Sequence, residues 1–112
     1  MSVEGDLKNA RTESLFRDVN ERIAETAARF QTAGVSFVCE CGDVTCTDRV
    51  HATLGEYEEV RSEGAQFLMV EDHAEPEIER VTKRTRHFAL VEKVKPLVRR
   101  TVQRLDPRAQ EI

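Results

Sequence analysis

The chain of 112 residues has no tryptophan, a single tyrosine (Tyr57) and five phenylalanines. A core built from it must be aliphatic, with Phe16, Phe30, Phe37, Phe67 and Phe88 as its few aromatic anchors. No apolar run approaches the roughly 18 residues that a membrane-spanning helix needs, so no membrane association is expected. The opening Met-Ser-Val-Glu-Gly-Asp is acidic and polar and lacks a charged-then-apolar signal region. A cytoplasmic protein, with its thiols kept reduced, is the expectation. Also lacking are a Gly-rich phosphate loop, a G-x-S-x-G elbow and an H-E-x-x-H pair. Glu56, Glu58, Glu59, Glu71, Asp72 and Glu75 supply carboxylates, but none is paired in a way that suggests acid–base work. The expectation is a protein that is not an enzyme.

Apolar residues make up 39% and charged residues 34% of the chain, which suits one globular domain over residues 1–112 with a highly charged surface. The net charge of −4 is unevenly spread: residues 1–76 sum to −9 and residues 77–112 to +5. A polyanion would have to approach the C-terminal third. The simpler reading is that the basic end balances the acidic end within one fold.

Along the chain, residues 1–11 show no periodicity and read as a flexible lead-in. From Thr12 to Ala33 the apolar positions Phe16, Val19, Ile23, Ala27 and Phe30 are spaced 3, 4, 4 and 3, one stripe of a helix, with Leu15 and Ala24 widening it. Thr12 or Ser14 is placed to cap that helix, and Gly34 to end it in a left-handed conformation. The heptad-like stripe is compatible with packing on a sheet and with pairing to a partner. Residues 35–38 and 49–52 read as strands, the second with Val50 and Ala52 facing inward. Thr53-Leu54-Gly55-Glu56 has the form of a capping box opening a helix over about 54–63. Gln66 to Val70 and Phe88 to Val91 read as strands, 77–83 as the first strand of a hairpin, and Pro96 as the first residue of a short terminal helix. Asp106-Pro107 stops that helix and leaves 106–112 as a tail. Without regular strand–helix–strand alternation, the class is α+β: a long N-terminal helix, a small antiparallel sheet carrying a knuckle, a short middle helix and a C-terminal hairpin.

The most informative stretch is Phe37-Val38-Cys39-Glu40-Cys41-Gly42-Asp43-Val44-Thr45-Cys46, which holds all three cysteines of the chain. Side chains two apart on an extended strand share a face, so Cys39 and Cys41 present their sulfurs to one point. Gly42 and Asp43 suit a sharp reversal that returns Cys46 to the same point. A Cys39–Cys41 disulfide would be strained. Three thiolates and one further ligand suit a soft tetrahedral cation such as zinc. Three thiolates also make zinc electron-rich and a poor activator of water, so a structural role is expected. For the fourth ligand, His73 lies in a loop after a buried strand and ranks first. His51, on the outward face of the return strand, ranks second and Asp43 third. His87 sits among arginines that repel a cation.

Several segments together resemble a family of short uncharacterised bacterial proteins. They are Glu13 to Ile23 (E-S-L-F-R-D-V-N-E-R-I), Phe37 to Cys46 (F-V-C-E-C-G-D-V-T-C), Leu54 to Arg61 (L-G-E-Y-E-E-V-R) and the late His73. The resemblance spans roughly residues 13–93. Where the family pattern has Pro-Gly before the late histidine, this chain has Glu71-Asp72. The resemblance implies a metal-knuckle domain and no particular substrate. The functional expectation is a structural zinc held by Cys39, Cys41, Cys46 and His73 in a protein-interaction or regulatory adaptor with a protein partner. Two alternatives stand beside it: a nucleic-acid-associated module using Lys83, Arg84, Arg86, Arg99, Arg100 and Arg104, and a thiol redox sensor.

Overall fold

The computed structural model describes residues 3–31 and 33–110. A long helix, α1 (Val3–Arg29), is followed by a two-stranded antiparallel sheet of β1 (Gly34–Val38) and β2 (Arg49–Thr53), with the cysteine segment as its connection. Helix α2 (Leu54–Val60) leads into β3 (Gln66–Met69), a 3-10 turn at Glu71–His73, β4 (Glu79–Arg84) and β5 (Ala89–Lys93). Helix α3 (Pro96–Arg104) and a 3-10 turn at Pro107–Gln110 complete the chain. The second sheet is antiparallel with β5 in the middle, in the order β3-β5-β4. The class is α+β, but the single expected sheet is two separate small ones.

The local signals that hold are those with strong short-range chemistry. The Thr53 hydroxyl accepts from the Glu56 N–H at 3.0 Å, and the Glu56 carboxylate accepts from the Thr53 N–H at 2.8 Å, closing the capping box. Val50 and Ala52 alternate inward on β2. Pro96 opens α3, where its missing N–H costs nothing. Tyr57 stacks on Phe37 with ring centroids 4.6 Å apart, locking α2 onto β1.

Four expectations are corrected. Residues 3–11 are the first turns of α1 rather than a lead-in, with only Met1 and Ser2 outside the described residues. Asp6 is buried there and pairs with Lys95 at the start of α3, an anchor that no local periodicity reveals. Thr12 is consequently mid-helix, its hydroxyl turned back to the Lys8 carbonyl at 3.1 Å. At the other end, Asp106 is buried against Arg61, and Arg108 reaches Glu21 at 2.6 Å and Glu58 at 2.8 Å, so 106–110 is a packed clasp and not a tail. The left-handed residue after α1 is Gln31 (φ 54°), and no glycine has positive φ. Gly42 sits in a close approach instead: a Cβ there would meet the Asn9 side chain at 3.0 Å, so that side chain would have to shift.

The fourth correction matters most. The apolar stripe of α1 faces the core only along one margin: Ala24 and Ala27 are buried and Ile23 packs against the core, but Phe30 is 72% exposed, Leu15 56% and Val19 39%. The buried side is Ala10, Glu13, Ser14, Arg17, Asn20, Ala24 and Ala27, small and polar residues of which Glu13, Arg17 and Asn20 bind by hydrogen bonds. Arg17 donates to the carbonyls of Gly64 and Val102, both at 2.7 Å, and its guanidinium lies 4.6 Å from the Phe67 ring centroid. Glu13 and Glu79 share the buried ammonium of Lys93. These contacts offset part of the penalty of burying the polar groups, although Glu13 Oε1, Ser14 Oγ and Arg17 Nε have no hydrogen-bond partner among the described residues.

Candidate metal centre

Two hydrogen bonds carry the strand register beyond β1 and into the cysteines. The Cys39 N–H donates to the Asp48 carbonyl at 3.1 Å, prolonging the β1–β2 ladder, and the Glu40 N–H donates to the Leu68 carbonyl at 2.8 Å, tying the segment to β3. With the backbone extended, Cys39 and Cys41 are both buried, while Glu40 between them projects the opposite way. The chain then turns, and the Cys46 N–H donates to the Asp43 carbonyl at 3.0 Å. The Asp43 carboxylate is taken up by this turn, accepting from the Thr45 N–H at 2.9 Å and the Thr45 hydroxyl at 2.7 Å. After β3, the 3-10 turn donates the His73 N–H to the Val70 carbonyl at 2.9 Å and swings the imidazole over the sulfurs.

The ligand atoms of Cys39, Cys41, Cys46 and His73 all lie within 4.8 Å of one another, a group able to hold a metal ion. His73 Nδ1 is 3.4 Å from Cys39 Sγ and 3.6 Å from Cys46 Sγ. With metal–sulfur bonds of about 2.3 Å and metal–nitrogen bonds of about 2.0–2.1 Å, the S···N edge of a tetrahedron is about 3.5 Å, the length of these two separations. The other ring nitrogen, Nε2, is 3.3 Å from Asp48 Oδ2, the arrangement in which a carboxylate orients a ligating imidazole and sets its tautomer. His51 is exposed on β2 and Asp43 is engaged with Thr45, and neither belongs to the group.

Each sulfur also meets one backbone N–H. Val70 donates to Cys39 at 3.3 Å, and the N–H groups of Asp43 and Asp48 face Cys41 and Cys46. Such donors stabilise thiolate charge. Among themselves the thiols share protons unequally. The hydrogen bond from Cys39 is the main cause that pulls Cys41 down to about 5, and the same bond drives Cys39 up. Burial raises Cys46. Three sulfurs this close disfavour three thiolate charges at once, and a bound cation would relieve that repulsion.

Sequence reasoning missed the residues behind this centre. Glu40 is fully buried; its Oε1 accepts from the Leu68 N–H at 2.9 Å and its Oε2 from Asn20 Nδ2 at 2.8 Å. Burial pushes its carboxyl up to about 7, against those hydrogen bonds and the charges of Arg17 and Arg61. Asn20 also brackets Val38, accepting its N–H and donating to its carbonyl, both at 2.8 Å, in the way a neighbouring strand would. The available signal was Glu40 itself, an acidic residue alternating with two ligands on a strand and hence aimed inward. Asp48 carried no comparable signal.

Among known proteins, no family model, curated protein or solved structure matches this chain. Among the described residues, no helix is long and apolar enough to cross a membrane.

Proposed function

We propose that the protein is a non-enzymatic, zinc-stabilised module acting as a cytoplasmic protein-interaction or regulatory adaptor. Cys39, Cys41, Cys46 and Nδ1 of His73 bind the zinc. The observation that carries this reading is the gathering of the four donors, with two S···N distances, 3.4 and 3.6 Å, that match a tetrahedral edge. The three-thiolate donor set favours a structural over a catalytic ion, because electron-rich zinc polarises water weakly. Zinc here would join the β1–β2 connection to the turn after β3, adding a cross-link between the two-stranded sheet, which is marginal by itself, and the three-stranded one.

The basic C-terminal third offers less to nucleic acid than its charge suggests. Lys83 holds Glu59 at 2.8 Å, Arg84 holds Glu71 at 2.6 Å and Arg99 holds Glu92 at 2.7 Å. Arg86, Arg100 and Arg104 make no ion pair among the described residues, a short list for a phosphate-binding surface.

The test is metal content by mass spectrometry on untagged, reduced protein, with thermal stability measured alongside. About one zinc per chain is expected, lost together with stability in the Cys39→Ser, Cys41→Ser and Cys46→Ser variants and weakened in His73→Ala but not in His51→Ala. Metal-free protein of full stability with three freely titrating thiols would overturn the reading.

A further inference from the structure

Among the described residues the outward part of the α1 stripe is left largely uncovered, with Val19 and Phe30 exposed and Ile23 only partly packed on the core. Phe16, Val19, Ile23 and Phe30 follow a 3-4-7 spacing, and Thr26 sits at the intervening heptad position. From Phe16 to Phe30 the stripe runs about 21 Å along the helix at 1.5 Å per residue. It forms one wall of an open groove of about 580 Å³ whose other wall is the edge of β1 at Gly34, Val35 and Ser36. A seam of heptad spacing selects a helix as its occupant, since a strand would match a period of two.

Beside the stripe runs a row of four charges, Asp18, Arg22, Glu25 and Arg29, of which Arg22 also lines the groove. None of the four makes an ion pair among the described residues. Their signs alternate −, +, −, +. Reversing the row end to end inverts every sign, so the row is complementary to itself when two copies of the helix run antiparallel. A two-fold axis between Arg22 and Glu25 sets Asp18 beside Arg29 of the second copy and Arg22 beside Glu25 of the second copy. The same axis brings Phe30 of each chain over the stretch between Phe16 and Val19 of the other. A parallel pair lacks this match, because its two-fold runs along the seam and sets the two rows on opposite sides of it, where they do not meet.

We infer that this face of α1 binds a second copy of the same chain, forming an antiparallel helix pair that closes the groove and makes the protein a symmetric dimer. A seam of this length is too short for two isolated peptides. Here α1 is already ordered by its contacts with the sheets and α3, so pairing does not carry the cost of helix nucleation. The two-fold is isologous, as most soluble dimers are. This deepens the interaction half of the proposed function and is separable from the metal half.

The experiment is sedimentation equilibrium of the zinc-loaded full chain over a wide concentration range, with zinc content and far-ultraviolet circular dichroism measured on the same samples. The wild type is expected at the mass of two chains. Phe30→Asp, at an exposed position, is expected at the mass of one chain, with unchanged helix content and unchanged zinc. Asp18→Arg is expected to raise the dimer dissociation constant about fivefold, and the exchange Asp18→Arg with Arg29→Asp to restore it. A wild type that stays at one chain up to millimolar concentration overturns the inference, as does a dimer indifferent to Phe30→Asp or an exchange that fails to restore pairing. Loss of zinc from all samples alike would instead count against the metal centre and leave the helix pairing standing.

Discussion

Asp48→Asn probes the metal centre without touching a ligand. Asp48 meets His73 Nε2 through one oxygen at 3.3 Å, and its side chain is 58% exposed while that of His73 is 29% exposed. The backbone carbonyl that accepts the Cys39 N–H is unaffected by the change, as is the N–H facing Cys46. Asparagine keeps an acceptor for the Nε2 proton and removes only the negative charge that strengthens the imidazole as a donor to the metal. Losing such an orienting group typically weakens metal binding about 10- to 100-fold. A single contact from an exposed carboxylate belongs at the low end, so about tenfold is expected, equivalent to about 1.4 kcal/mol. Binding to the folded state alone transmits that loss to stability. At fixed free zinc above the dissociation constant, the zinc-loaded variant should therefore unfold with about 1.4 kcal/mol less free energy than the wild type. Stripped of metal, the two should unfold alike within about 0.5 kcal/mol, because surface substitutions away from special features cost no more. The assay is chelator-buffered zinc titration paired with urea unfolding of both forms. Unchanged affinity, or equal destabilisation with and without zinc, would refute the account of Asp48 as an orienting group.

Three further outcomes follow from the buried polar side of α1. Lys93→Met leaves the Glu13 and Glu79 carboxyls in the core with no cation between them, and urea unfolding at pH 7 should show a loss of about 3–5 kcal/mol. Burial raises Glu13 from 4.5 to about 8, so its contribution to stability is complete below about pH 4.5 and is lost as pH rises through 8. Between pH 5 and 8 the wild type should therefore lose stability relative to Glu13→Gln, a difference that cancels any pH effect of the metal. Asn20→Ala removes the bracket on Val38 and one hydrogen bond to Glu40, leaving buried groups unpaired at a cost of about 3–5 kcal/mol. The same variant should bind zinc more weakly, since Val38 leads directly into Cys39. An unchanged melting temperature would remove Asn20 from the support of the site.

The sequence by itself determined what depends on short-range chemistry. Three thiols on a strand and its turn, a Thr–Glu capping box, alternating Val50 and Ala52, and Pro96 at a helix start are each complete within a few residues, so their geometry follows locally. Tertiary structure decided the rest. The choice of His73 over His51 and Asp43 depends on how the turn after β3 lies against the end of β1, a contact across 34 residues in sequence. The buried face of α1 misled a reading by hydrophobic period, because Glu13, Arg17 and Asn20 are buried through partners that lie 18 to 85 residues away. For the same reason the first turns of α1 and the clasp at Arg108 read as loose ends, though Lys95, Glu21 and Glu58 hold them. A polar side chain reaches the interior when a distant partner offsets its desolvation, and that partner is supplied by the fold, not by the neighbouring residues.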